Sequence, residues 1–174
     1  MAWTTPRTWV ASELVGATLM NTHVRDNLNA LKDPPTFETA YTSGSTLILS
    51  STASVLTALS TGLTGAITTN GGAVMAYFQA QIAADAATTR RMGFDWSVDG
   101  TETRAAYAYG QGRYNITNTT AVSGTMMSFG PTLITGLTAG THTFTPLWSI
   151  SQGTAFAYAN TNTTPIYMWV REVS

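Results

Sequence analysis

Three observations predict a mainly β protein: a short N-terminal amphipathic helix followed by an antiparallel sandwich or barrel. Apolar and polar residues alternate along many short runs between Ala73 and Val173. Clusters of Gly, Asn, Asp and Ser separate those runs. The one stretch with helical periodicity, residues 17–33, is closed by Pro34-Pro35. Alternation puts every second side chain of a strand on the same face, and eight or more such strands with turns between them build a sandwich or a barrel.

Residues 1–12 read as extended. Trp3 and Trp9 bracket Pro6, whose ring disfavours helix. Each Trp has two destinations, the chain's own helix or the surface of a partner. The helix is expected to start near Gly16 or Ala17 and to end at Asp33, since Pro34 cannot continue it. Ala17, Met20, Val24, Leu28 and Leu31 form one apolar stripe, while Asn21, Arg25, Asn29 and Lys32 face away. Asn27 sits at the stripe's edge, where it fixes the register of a small bundle, caps, or meets solvent. Arg25 and Asp26 are neighbours, so they point to different sides and are placed to pair with another chain or the following loop. His23 is expected to hydrogen-bond within this segment. A helix of two heptads is marginal by itself in water, so it calls for a partner surface.

Residues 36–72 hold a single charged residue, Glu38. Thr46–Leu49, Val55–Leu59 and Leu63–Thr68 read as short strands, broken at Ser43-Gly44-Ser45, Thr61-Gly62 and Asn70-Gly71-Gly72. They are first strands of the β domain or a separate stalk. Val74, Ala76, Phe78, Ala80 and Ile82 then alternate with more polar neighbours, as do Met92, Phe94, Trp96 and Val98. The second run ends in Asp99-Gly100, the signal for a type I′ hairpin turn. Arg104–Tyr109, Tyr114–Thr117 and Val122–Phe129 supply further strands, and Leu137-Thr138-Ala139-Gly140 reads as a turn. His142, Phe144, Trp148 and Ile150 share a face, and Ile166–Val173 closes the domain.

The 174 residues include 10% charged residues and carry a net charge of -1. That leaves no electrostatic drive towards nucleic acid or an anionic membrane. No run approaches the roughly 18 apolar residues of a membrane span, and no secretory leader is visible at the N-terminus. The absence of cysteine excludes a disulfide framework, thiolate metal sites and a Cys nucleophile.

The chemistry-bearing residues do not assemble into a catalytic set. The two histidines, His23 and His142, lie in separate regions. His142 is in register with Phe144, which places it in or beside the core or a subunit interface. Asp99 is explained by its turn, and Asp95 and Glu102 are expected to pair across strands with Arg91 or Arg104. No catalytic residues, metal ligands or cofactor are assigned. Tyr107, Tyr109, Tyr114 and Tyr158 are candidate ligand-facing aromatics, able to stack on sugar rings at the rim of the sandwich.

The opening residues carry a resemblance. Trp3, Pro6, Trp9-Val10, Glu13-Leu14-Val15, Asn21-Thr22-His23-Val24-Arg25-Asp26-Asn27-Leu28 and Leu31 resemble the N-terminal segment of tailed-bacteriophage structural proteins, with Gly16 where a capping Thr or Ser is usual. Phe94–Gly100, Leu137–Phe144 and Trp169–Val173 look like the tumour-necrosis-factor-like jelly rolls that phages use as knobs. Together these resemblances imply a virion protein without enzymatic activity. Residues 1–35 would be the anchoring arm and helix, and residues 36–174 a jelly-roll β-sandwich that forms a homotrimer. The implied anchor residues are Trp3, Trp9, Met20, Val24, Arg25, Asp26, Asn27, Leu28 and Leu31. The implied partners are phage capsid proteins for a decoration or head-fibre protein. For a tail-fibre protein they are tail proteins and a host-surface glycan.

Overall fold

The computed structural model describes residues 7–42, 46–50, 55–84, 90–103, 112–116, 125–159 and 165–173. The helix follows Gly16 and runs through α1 (Ala17–Met20), a π-helical turn (Asn21–Asp26) and α2 (Asn27–Lys32). The strands are β1 (Thr36–Tyr41), β2 (Thr46–Ser50), β3 (Thr57–Ala58), β4 (Gly65–Ala84), β5 (Arg90–Val98), β6 (Thr101–Glu102), β7 (Gly112–Ile116), β8 (Thr125–Ile150), β9 (Thr154–Tyr158) and β10 (Ile166–Glu172). The protein is thus mainly β and antiparallel, with one short helical segment among the described residues.

The strand order is β1-β10-β4-β8-β5-β6. β9 pairs with the end of β4 and carries β2, while β3 joins β8 and β7 joins β5. The described strands between residues 36 and 72 therefore belong to the sheet. β1 lies along Ile166–Arg171, and Gly65–Gly72 lie along Leu137–Phe144.

Two stretches read as turns are not turns. Asn70-Gly71-Gly72 lies inside β4 and Leu137–Gly140 inside β8, with Asn70 opposite Ala139 and Gly72 opposite Leu137. The same residues bend the backbone without ending the strand. Gly71 and Gly72 have φ of 91° and 122°, which side chains rarely adopt. Two bulges accompany them. Gly136 is the extra residue opposite the Gly72/Ala73 step, and Gly130-Pro131 together oppose Tyr77. A Cβ on Gly130 would stand 2.5 Å from the Ala76 carbonyl oxygen. Bulges bend a strand and add twist.

The bending folds the β4·β8 ladder over on itself. Register places Phe94 of β5 beside Trp148, because Gly93 opposes Ser149 and Asp95 opposes Leu147. In a straight strand Phe129 would lie about 60 Å from Trp148. The Phe129 and Phe94 rings are instead 6.1 Å apart. Phe78 touches Phe94, Trp96 and Phe129 at 5.5 to 5.6 Å. The arrangement is consistent with a sandwich. One layer holds β1, β10, the second half of β4 and the start of β8. The other holds β3, β5 and the end of β8.

The core lies between them. The inward rows are Val74, Ala76, Phe78, Ala80 and Ile82 on β4, and Met92, Phe94 and Trp96 on β5. Phe144, Trp148 and Ile150 on β8 and Ile166, Met168 and Val170 on β10 complete it. Burying each large side chain contributes about 1.5–3 kcal/mol. The Asp99-Gly100 hairpin is present, with both residues at positive φ. The Val55–Leu59 run shortens to Thr57–Ala58, and Arg104–Tyr109 lies outside the described residues.

One carboxylate locks the bend. Glu172, 2% exposed, accepts the Asn70 backbone N–H at 2.7 Å on Oε1 and Asn70 Nδ2–H at 3.0 Å on Oε2. Glu172→Gln would set an NH2 group against one of those donors. Leaving a buried donor unsatisfied costs about 1–3 kcal/mol, so the denaturant midpoint of E172Q is expected to fall by about 2 kcal/mol in free energy, with an unchanged slope. A midpoint equal to the parent's would contradict this role.

Candidate interaction surfaces

The first candidate surface is the arm and helix. Residues 7–16 fold back on the helix. Trp9 meets His23 edge-on, ring centroids 6.4 Å apart, and the Arg7 guanidinium lies 5.4 Å from the centre of the Trp9 ring. Arg7 pairs with Glu13, and Glu13 Oε2 accepts the Val10 N–H at 3.3 Å. Trp9 therefore packs on its own chain and still keeps part of its surface open. His23 does not make the bond expected of it on one side, because its buried Nδ1 has no partner.

The π-helical turn changes two sequence readings. Its i→i+5 bonding puts more residues in each turn than an α-helix has, so neighbouring side chains diverge less. Arg25 Nε accordingly donates to Asp26 Oδ1 at 2.8 Å, a pairing between neighbours where pairing elsewhere was expected. Asn27 does not face solvent. It is buried, and its Nδ2 donates to the His23 carbonyl at 3.3 Å.

The apolar side chains of this segment remain open. Val10, Leu14, Val15, Met20, Val24 and Leu28 are all exposed, Leu14 to 93% and Leu28 to 60%. Covering such a side chain contributes on the order of 1.5 kcal/mol or more. Trp3 lies outside the described residues. Of Leu31 the backbone is described, within α2.

The second candidate surface is the outer face of the β1-β10-β4-β8 layer. β10 presents Tyr167, Trp169 and Arg171 there, since Ile166, Met168 and Val170 point inward. Cross-strand register sets Trp169 beside Tyr77 and beside Glu38. The Tyr77 and Trp169 rings stack at 5.6 Å and 19°. The Tyr77 hydroxyl donates to Gln79 Oε1 at 2.9 Å and lies 3.1 Å from Ser128 Oγ. The Glu38 carboxylate accepts the Tyr167 hydroxyl and holds that phenol above the usual tyrosine range. Met75 and Leu133 pair on the same face, Leu133 being exposed.

These are not the aromatics read from the sequence as ligand-facing. Tyr107 and Tyr109 lie outside the described residues. The backbone of Tyr114 is in β7, opposite Met92. Tyr158 is half-buried on β9, between Thr46 and Gln81.

A third place gathers the remaining titratable groups. Asp95 does not pair with Arg91. It is fully buried, and its Oδ1 accepts the Trp96 N–H at 2.8 Å and the Thr103 hydroxyl at 2.7 Å. Asp95 has the opposite parity to Phe94 and Trp96 and is still buried, whereas Arg91 is exposed, and an ion pair needs a partner at the same depth. Thr103 and Glu102 line a cleft of about 290 Å³ with Val98, Thr101, Ile134 and Leu137. Among the described residues no group of three His, Cys, Asp or Glu side chains is placed to hold a metal ion. No helix among them is long and apolar enough to cross a membrane.

The contrast between the arm and the core is measurable. Leu28→Ser is expected to change unfolding free energy by less than about 0.5 kcal/mol. Phe94→Ala is expected to cost about 4 kcal/mol. Equal effects in chemical denaturation would mean that the helix is part of the core.

Compared with models of known protein families and with curated protein sequences, the chain matches none.

Proposed function

We propose that this chain is a non-enzymatic structural protein of a tailed-bacteriophage particle. The arm and helix dock it on the capsid, and the β domain is displayed outward as a decoration or head-fibre knob. The observation that carries this reading is the unburied apolar row Val10, Leu14, Val15, Met20, Val24 and Leu28. A segment so short, and so apolar on its open side, is stabilised by a partner surface. The phage-like residues Asn21–Leu28 fall in the same segment.

The knob is proposed to associate as a homotrimer through the outer face that carries Tyr167, Trp169, Tyr77 and Leu133. Aromatic and Met side chains are enriched at such contacts, and a stacked pair loses little side-chain freedom on burial. The same aromatics favour a second reading, a tail-fibre or minor tail protein that binds host-surface glycan, because ring faces stack on sugars.

Particles assembled with Val24→Asp/Leu28→Asp protein are expected to lose at least about nine-tenths of the chain, since two buried charges cost several kcal/mol. Normal copy number with this variant would overturn the anchor. Light scattering of the full chain is expected to give three times the chain mass, falling to one with Leu133→Asp. Many copies per particle favour the decoration reading. A few copies, with binding to a sugar array, favour the tail fibre.

A further inference from the structure

His142 is held at both ring nitrogens by groups that only accept. Its Nδ1 lies 2.7 Å from Asp99 Oδ2, and its Nε2 lies 2.9 Å from the Thr138 carbonyl oxygen. A backbone carbonyl has no proton to give, and neither has an ionised carboxylate. Both contacts are therefore satisfied together by the doubly protonated imidazolium. The His142 side chain is 11% exposed while that of Asp99 is 50% exposed, so water reaches the carboxylate more readily than the imidazole.

The three groups come from separate places in the fold. Asp99 begins the turn between β5 and β6, with φ of 52°, and its Oδ1 also accepts the Thr143 N–H at 2.8 Å. Thr138 belongs to the bend of β8, and its carbonyl accepts the Thr69 hydroxyl of β4 at 3.1 Å. Asp99 N–H returns to the Thr143 carbonyl at 2.9 Å. Among the described residues, Asp99 is the charged group that faces the ring. β4 offers Ile67 opposite it and the Thr69 hydroxyl nearby, and the Glu172 carboxylate of β10 is engaged by Asn70.

We propose that His142 is a proton-operated clasp that fastens the β5–β6 turn to the bend of β8 and releases it when the imidazolium loses its proton. Both walls of the cleft are attached to it. Thr101, Glu102 and Thr103 follow the turn, and Leu137 precedes Thr138. Release leaves the turn held by the two Asp99–Thr143 bonds alone, so that it opens more readily and the cleft widens.

The direction of titration agrees. The Asp99 carboxylate, and then the Thr138 carbonyl, hold the His142 ring above its usual value of 6.5. The Thr143 N–H, and then His142, hold Asp99 below its usual 3.8. For His142 the stabilisation is complete below pH 6.5 and is lost as pH rises through the higher folded value. For Asp99 it is present above pH 3.8 and is lost as pH falls through the lower folded value. Both describe one interaction, closed between those limits and opened on the alkaline side by His142.

Nitrogen-15 NMR of the full chain tests this, in a His23→Gln background that leaves a single imidazole. At pH 6 both ring nitrogens of His142 are expected to carry protons, with titration above pH 6.5. Hydrogen exchange of the Asp99 and Thr143 amides, corrected for intrinsic rate, is expected to speed up across that titration. The gain is about tenfold for each unit by which His142 titrates above 6.5. Val74 and Val170 amides are expected to hold their protection. Asp99→Asn, which keeps the turn residue small and polar, is expected to return the titration to 6.5 or below and to flatten the exchange profile. Titration of His142 at or below 6.5 in the parent would overturn the clasp. So would amide protection that ignores the titration, or an Asp99→Asn profile identical to the parent's.

Discussion

The fold depends on bending one antiparallel ladder sharply enough to become both layers of its own core. β4 and β8 are each too long to lie flat in a protein of this size, so the ladder must turn or leave its apolar rows in water. Gly71, Gly72, Gly130 and Gly136 supply backbone geometry that side chains resist. Once bent, the strand that carries Phe129 lies against the strand that pairs with its own far end. The contacts of Phe78 and Phe129 with Phe94 and of Phe78 with Trp96 follow from that turn-back.

Charged residues are scarce here, and two of the buried ones, Glu172 and His142, sit next to the bend. Glu172 closes the β4 side by holding Asn70, and His142 closes the β8 side by holding Thr138. Neither depends on packing alone, because each carries hydrogen bonds to a charged group, which are roughly twice as strong as neutral ones. Between them they tie β10, β4, β8 and the β5–β6 turn. The glycine-rich bend, whose backbone has more conformational freedom than its neighbours, is in this way fastened on both strands.

Much of the β architecture was legible in the sequence, and the reasons are local. Val74–Ile82 and Met92–Trp96 alternate strictly, and their inward rows are the observed core. Asp99-Gly100 specifies a hairpin by its own dihedrals. The bends were not legible as bends. Asn70-Gly71-Gly72 and Leu137–Gly140 have the composition of turns, and only their mutual pairing, nearly seventy residues apart in sequence, makes them a kink in a continuous ladder. The outward aromatics were hidden for another reason. β10 carries apolar side chains at both parities, so alternation does not say that Tyr167 and Trp169 face out. A usable signal lay on β4, where small Ala76 and Ala80 share a parity with Phe78 and leave Tyr77 for the other face. The helix was found by its 3.6-residue period, but that period assumes an α-helix throughout. The π-helical turn at Asn21–Asp26 breaks the assumption and brings Arg25 onto Asp26.

The way the arm enters the sheet sets how the domain carries mechanical load. Pro34-Pro35 lead directly into β1, which is bonded to β10 along six residue pairs, Thr36–Arg171 to Tyr41–Ile166. Glu172 N–H also bonds the Pro35 carbonyl at 3.0 Å. Tension along the strand axis shears all of these bonds together, so the domain resists it as one unit. Tension across the axis peels them in turn, starting at Thr36. A domain tethered by its arm is therefore strong or weak according to the angle at which the arm leaves its anchor.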